Sequence, residues 1–379
     1  MAQVLDAITT FTPKQRTLMG PGPSDVSARV LNALSRPTLG HLDPDFIGLM
    51  DETKALLQYA FCTENALTMP LSAPGSAGME AMFVNLIEPG DKVIVCINGV
   101  FGNRMKENAL RVGAEVITLE DPWGEQSKPE KLEMALRQHP DTKAVALVHA
   151  ETSTGVRNDA QLLCQIAKQF NCLTIVDAVT SLAGVELRVD DWLIDAIYSG
   201  TQKCLSCVPG LAPISFSDKA VKVIQSRKKP VQSWFLDMNL VVGYWGQGQK
   251  RAYHHTAPVN SVYALHESLL MLHQEGLENS WHRHAEIHQS LKLGLEGIGL
   301  EMAVDVSYRL PQLNSIRIPE GTDDALVRAT LLNDYNLEIG AGLGELAGKV
   351  WRIGLMGFGC NQHNVDYCVQ SLAKVLKRI

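Results

Sequence analysis

The sequence predicts an α/β protein in which a large domain built on a mostly parallel sheet precedes a smaller α+β C-terminal domain. Three observations carry this. From Lys92 to Phe216, short β-rich apolar runs alternate with longer amphipathic stretches. Several of those runs close on polar or charged residues, as strands do at the ligand-binding edge of an open parallel sheet. After about Ser261 the texture changes to long helix-like stretches with only two later strand-like runs.

In chain order, residues 1–20 read as an N-terminal arm before the turn signal Gly20-Pro-Gly-Pro23. The large domain spans 21–275. In it, Ala73-Pro-Gly-Ser-Ala-Gly-Met-Glu80 leads into an apolar helical run, Ala81 to Ile87. Strands are expected at Lys92 to Cys96, Glu115 to Leu119, Lys143 to His149, Leu173 to Asp177, Ile194 to Ser199 and Pro213 to Phe216, as βα units. Asp159 to Phe170 supplies one connecting helix, with Leu162, Leu163, Ile166 and Ala167 at helical spacing. The small domain, 276–379, carries strands at Gln312 to Ile318 and Lys349 to Ile353 and a final amphipathic helix near Asn364 to Lys377.

A 379-residue chain with 46% hydrophobic residues can bury a large core. Its net charge of -7 is spread without acidic or basic blocks, which leaves neither a nucleic-acid footprint nor a polybasic membrane patch. Met1 to Arg16 lacks an apolar core behind a basic start, and no run is long enough to span a bilayer. Eight scattered cysteines in apolar runs suit a reducing compartment, read here as the cytoplasm. Leu376-Lys-Arg-Ile379 is not a peroxisomal ending of the usual type.

Chemistry concentrates where strands end. Asp177 closes Leu173-Thr-Ile-Val, where a carboxylate is costly unless paired; it reads either as a helix N-cap or as the counter-ion of a protonated heterocycle nitrogen. Lys203, in Tyr198-Ser-Gly-Thr-Gln-Lys203, is a solvated surface lysine or a desolvated amine able to form a Schiff base. Val148-His149-Ala-Glu-Thr-Ser-Thr-Gly155 is a turn or a third part of the same polar mouth. The glycine-rich turn at Gly75 and Ser76 opens a helix whose free N–H groups suit a phosphate, or is simply a cap.

With those residues in view, the chain resembles the alanine:glyoxylate and serine:glyoxylate (serine:pyruvate) aminotransferases, class V enzymes of the fold-type I group that use pyridoxal 5'-phosphate. The likeness runs from Met19-Gly-Pro-Gly-Pro-Ser24 through Gly276-Leu-Glu-Asn-Ser-Trp281 to Trp351-Arg-Ile-Gly354, and is most specific at Asp177 and Ser-Gly-Thr-Gln-Lys203. The resemblance implies that Lys203 binds the cofactor as a Schiff base and then shuttles a proton, while Asp177 keeps the pyridine nitrogen protonated. It implies that Gly75, Ser76 and Gln202 hold the phosphate, that Thr152 bonds near the phenolic oxygen, and that Phe101 and Val179 sandwich the ring. For Phe101 and Val179 the alternative reading is plain core packing. Arg352 would bind the substrate α-carboxylate by a two-pronged salt bridge, with Gly22 also at the substrate. Tyr253 and Thr256, in Tyr253-His-His-Thr256, would reach the phosphate of the other subunit, making a homodimer with shared active sites; His254 and His255 read as a structural turn.

The chain departs from the animal relatives at Phe101, where they carry tryptophan, at Ala150, which replaces a glycine, and at Pro74, which stiffens the phosphate loop. Three further readings stand beside transamination of alanine or serine with glyoxylate or pyruvate. The first, (S)-ureidoglycine:glyoxylate aminotransferase, resembles this chain too, but that branch carries glutamine at the place of His41 and asparagine at that of Tyr253. Cysteine desulfurase would need a mobile catalytic cysteine, for which Cys360 is the loose candidate. A non-catalytic PLP-binding module is disfavoured by Lys203, Asp177 and Arg352 together. Cys204 and Cys207 read as packed thiols and not as half a metal site. His282, His284 and His288 are expected on a solvated face, with no metal spacing. Gly340-Ala-Gly-Leu-Gly344 lacks the glycine spacing of a dinucleotide loop.

Overall fold

The structure, a computed structural model, describes residues 9–246 and 251–377. The first eight residues of the expected arm and the last two of the C-terminal tetrapeptide lie outside the described residues.

Seven strands form the main sheet: β1 (Leu67–Leu71), β2 (Lys92–Ile97), β3 (Glu115–Glu120), β4 (Ala144–Val148), β5 (Leu173–Asp177), β6 (Ala196–Tyr198) and β7 (Ala212–Phe216), in the order β1-β7-β6-β5-β4-β2-β3. β4 and β5 lie at the middle and are buried along their whole length, which is why they read as unbroken apolar runs. β1 and β3 are the edge strands, and the ends of β3 are exposed glutamates. The register sets Val148 beside Asp177 and Asp177 beside Tyr198, so the parallel strands bring three carboxyl-terminal strand ends to one side of the sheet.

Two strands differ from expectation. Pro213 to Phe216, grouped in the sequence with parallel units, runs antiparallel to both β6 and β1. The chain returns to it through the loop 199–211, without the helical crossover that a parallel neighbour needs. β1 is a strand the sequence hides behind Pro70, a residue that argues against a central strand; β1 lies at the sheet edge, where proline is tolerated, and Pro70 stands opposite Pro213.

The C-terminal part packs its own apolar core around Trp351, Ile353, Leu331 and Leu372. Its sheet joins β8 (Leu313–Arg317), β9 (Gly340–Ala341) and β10 (Val350–Gly354), with β10 in the centre. Gly340–Ala341 is therefore a sheet edge paired with Trp351 and Arg352, not a dinucleotide loop. The chain start belongs to this part: Thr17–Leu18 pairs with Leu337–Glu338, Met19 enters the core, and Gly354 N–H donates to Met19 O at 2.7 Å.

The histidines of the helix Leu277–Gly297 correct the expectation of a solvated face. His282 is exposed, but His284 and His288 are buried. His284 accepts from Gly357 N–H through Nε2 at 3.0 Å, which leaves Nδ1 to donate to Ser280 O. His288 Nδ1 lies 2.6 Å from Asn314 Oδ1. Burial lowers the basicity of both rings, His284 to about 4, so they bolt the helix to its neighbours as neutral groups. Among the described residues no cluster of His, Cys, Asp and Glu has the arrangement of a metal site. No described helix is long and apolar enough to cross a membrane.

Candidate active site

The polar mouth forms at the carboxyl edge of β4, β5 and β6. Asp177 is 2% exposed at the end of β5. Its Oδ2 accepts from Tyr198 OH at 2.6 Å and its Oδ1 from Val179 N–H at 2.8 Å. Burial pushes this carboxyl up to about 6, against the pull of those two donors. Tyr198 is in register with Asp177 on the neighbouring strand, so sheet pairing alone delivers the phenol.

Lys203 stands in the loop after β6, and burial depresses its amine to about 8, with the charge of Arg352 adding to the effect. Its Nζ donates to Pro21 O. Ser24 ties the same loop down, its N–H donating to Gln202 O at 2.9 Å and its hydroxyl to Lys203 O at 2.8 Å. Gly22, at φ +97°, permits this approach: a Cβ there would stand 2.5 Å from Lys203 Nζ. The sequence-predicted Gly22 and Lys203 are thus brought together by the segment 20–24.

The helix Gly75–Leu86 begins at Gly75 with Pro74 as an N-cap that makes no side-chain bond. Ala77 and Gly78 N–H groups return to Pro74 O, which leaves the Gly75 and Ser76 N–H groups pointing out of the first turn. Gly75 packs against Val179 and Gly200, and a Cβ on it would meet Val179 Cγ2 and Ser199 O at 3.3 Å. Gln202 Oε1 is buried without a hydrogen-bond partner beside Gly200. Gly75, Val179 and Gln202 are therefore grouped around Gly200.

Phe101 lies half-buried in the first turn of the helix Val100–Arg111. The guanidinium of Arg104 sits 4.9 Å over its ring and donates to Ser76 Oγ at 3.3 Å. Thr152 is buried, its hydroxyl 2.5 Å from that of Thr180.

Arg352 projects from β10 toward the mouth and is 6% exposed. Its Nε donates to Ala341 O at 2.7 Å and its Nη1 to Thr152 O at 3.1 Å. Among the described residues no carboxylate lies within salt-bridge distance of it, whereas the buried carboxylates of Asp121, Asp195 and Glu267 each have a cationic partner. Burial draws it down to about 10, opposed by the negative charge of Glu151.

Tyr253 and Thr256 are exposed. Tyr253 lies 5.1 Å from the His41 ring. His254 stacks on Trp234 at 4.4 Å, and His255 Nε2 lies 2.7 Å from Ser72 Oγ. This aromatic strip reaches solvent at Trp234 and Tyr253, 62% and 63% exposed.

Cys204, Cys207 and Cys360 are buried free thiols pushed up to about 12 by desolvation, as packed cysteines should be. Cys360 follows a short helical turn held by Arg283 Nη1, which donates to Gly357 O and Cys360 O. That rigid, inert setting does not suit a desulfurase nucleophile.

Tyr198, Arg104 and Glu151 are the site neighbours that the sequence does not single out. The last two had a signal, a cation one turn after Phe101 and a carboxylate beside Thr152. Tyr198 had none, since an aromatic residue in a strand reads as core.

The family model for class-V aminotransferases matches residues 26–353. The chain is 40% identical over 365 residues to the alanine–glyoxylate aminotransferase of Felis catus, covering 96% of this chain and 88% of that one. It is 38% identical over 381 residues to the (S)-ureidoglycine–glyoxylate transaminase of Bacillus subtilis, covering 96% and 91%. The crystal structure of an alanine–glyoxylate aminotransferase from Nostoc sp. matches with a TM-score of 0.95 at 47% identity, covering 97% of both chains.

Proposed function

The chain belongs to the class-V aminotransferases, enzymes that depend on pyridoxal 5'-phosphate, and on that premise we propose that it moves amino groups between alanine or serine and glyoxylate or pyruvate. The observation that carries the substrate class is Arg352, a buried guanidinium with two N–H groups spent on carbonyls and no carboxylate of its own. A buried unpaired cation is costly, and an incoming α-carboxylate removes that cost with a two-pronged bond.

The residues present fit the cofactor. Gly75 and Ser76 offer free N–H groups at a helix N-terminus, a Cβ on Gly75 would press on Val179 and Ser199 at 3.3 Å, and Gln202, whose side-chain amide nitrogen can donate, stands beside Gly200. Those groups would hold the phosphate; Phe101 and Val179 would flank the ring, and Thr152 would bond near its phenolic oxygen. Bound there, the cofactor supplies an electron-withdrawing ring that spreads the charge left at the substrate Cα. Asp177, kept in place by Tyr198 and Val179, would hold the proton on the ring nitrogen. Lys203 would be the covalent anchor and then the base for the Cα proton, which an amine near 8 can do close to neutral pH. Gly22 would keep the space beside Nζ free for a small substrate.

The functional unit in this proposal is a homodimer in which Tyr253 and Thr256 reach the partner's phosphate, which accounts for the exposed aromatic strip. Eight free cysteines support a reducing compartment, and with it the cytoplasm.

Ureidoglycine as donor is the second reading, favoured by the Bacillus relative. It is opposed by His41 and Tyr253, two rings in mutual contact where that branch carries amides. One experiment decides: the absorption spectrum of the PLP-loaded protein, followed after adding alanine, serine, cysteine or ureidoglycine singly. Conversion by alanine or serine, reversed by glyoxylate, is expected. A spectrum answering only to ureidoglycine or to cysteine would transfer the assignment.

A further inference from the structure

We propose that Glu151 is a positioning residue for the cofactor ring, its buried carboxylate fixing the first turn of the helix Val100–Arg111 and, with it, the plane of Phe101. The inference rests on the reading of Phe101 as the ring-stacking residue.

Glu151 is 0% exposed. Its Oε2 accepts from the N–H groups of Phe101 at 3.1 Å and Gly102 at 3.3 Å. Its Oε1 accepts from Ser153 N–H at 3.0 Å and Ser153 Oγ at 2.5 Å. The same serine hydroxyl accepts from Val100 N–H at 3.0 Å. Three successive amides of the helix start are therefore held by two side chains from the turn after β4, distant in sequence.

An ordinary helix start needs nothing of this kind. A serine or aspartate at the capping position would satisfy the same amides locally, without burying a charge. Here that position is Gly99, which has no side chain to offer. A Cβ on Gly99 would lie 2.4 Å from Glu151 Cδ and 2.5 Å from Ser153 Oγ. The local cap has been exchanged for a remote one, and the glycine admits it.

The remote cap links two parts of the site. Thr152, next in sequence, accepts from Arg352 Nη1 through its carbonyl and meets Thr180 through its hydroxyl. Glu151 thus locks Phe101, on one helix, to the turn that carries Thr152 and supports Arg352. Burial pushes its carboxyl up to about 7, so the position is held at an electrostatic cost partly offset by its four donors and by the positive helix end.

A binding cycle tests this. PLP affinity is measured for the wild type, Glu151→Gln, Phe101→Ala and the double variant, together with the ellipticity of the bound-cofactor band and the thermal midpoint of each cofactor-free protein. Expected are about a tenfold weaker affinity and a changed ellipticity for Glu151→Gln, and less than about a twofold further effect of that change once Phe101 is alanine. Equal losses in both backgrounds, or none in either, would overturn the proposal. A Phe101→Ala protein with unaltered affinity overturns the stacking reading, and the inference with it. If Glu151→Gln does not fold, Ser153→Ala loosens the same clamp more gently and is read by the same cycle.

Discussion

Replacing Arg352 by glutamine removes the cation while keeping a polar side chain of similar reach. In the proposed complex the guanidinium gives the substrate carboxylate two charge-assisted bonds, each worth about 1.5–3 kcal/mol net. Glutamine returns at most one neutral donor, so the expected loss is about 3–4 kcal/mol, or about 10²–10³-fold in the second-order rate constant for alanine. The fold should tolerate the change, since an unpaired buried guanidinium, drawn down to about 10, is no asset to stability. The assay is the rate at which alanine converts the PLP absorption band, run beside ethylamine, which has the amine and no carboxylate. Ethylamine should react equally slowly with both proteins. An equal loss for both amines would show that Arg352 acts on the site in general, and an unchanged rate with alanine would refute its role outright.

Three further outcomes follow from the same geometry. Lys203 sits at about 8 against an ordinary 10.5, so in cofactor-free protein the charged amine costs about 3 kcal/mol below pH 8, and the cost fades as pH rises from 8 to 10.5. Lys203→Met should therefore raise cofactor-free stability in urea at pH 7 by about 2–3 kcal/mol, shrinking toward pH 10.5, while turnover falls at least about 100-fold; a loss of stability at pH 7 would contradict the burial argument. Tyr198→Phe removes a donor that favours ionised Asp177, so the carboxyl should rise above 6 and the acid limb of PLP affinity against pH should move up by about one pH unit; an unmoved limb would separate Tyr198 from Asp177. Mixing inactive Lys203→Ala protein with weakly binding Tyr253→Ala protein should restore activity if sites are shared across a dimer, because one intact site forms in each mixed pair; no recovery on subunit exchange would count against sharing.

Much of this site can be read from the sequence because chemistry leaves charges where folding alone would not. Asp177 closes an apolar run, Lys203 follows a short buried strand, and Arg352 lies between Trp351 and Ile353 in a core strand. What stays hidden is what pairing creates. Tyr198 reaches Asp177 only through register, and the reversed direction of β7 follows from a loop whose sequence looks like any other. Glu151 looks like one polar residue of a turn until the helix start arrives beside it. The buried histidines are a different case: His284, His288, Leu291 and Leu295 fall at i, i+4, i+7 and i+11, so the helical stripe was present, masked by Arg283 and Glu286 beside it.

Four charged groups of the site are all shifted toward their neutral forms. Asp177 and Glu151 are pushed up, Lys203 and Arg352 drawn down, and burial is the largest cause in each case. The chain by itself thus works against those four charges. The proposed ligands carry the complement: a protonated ring nitrogen for Asp177, a carboxylate for Arg352, and a carbonyl carbon that reacts with Lys203 in its neutral form. In this proposal the cofactor takes up the first and third of these groups, since Asp177 gains the ring nitrogen's proton as its partner and Lys203 is consumed by the carbonyl carbon. Arg352 is the one whose burial cost the cofactor leaves in place, and a substrate carboxylate is what would remove it. Acetate should therefore slow the conversion of the PLP band by alanine in wild-type protein and lose that effect in Arg352→Gln, whereas inhibition that persists in the variant would place the carboxylate elsewhere.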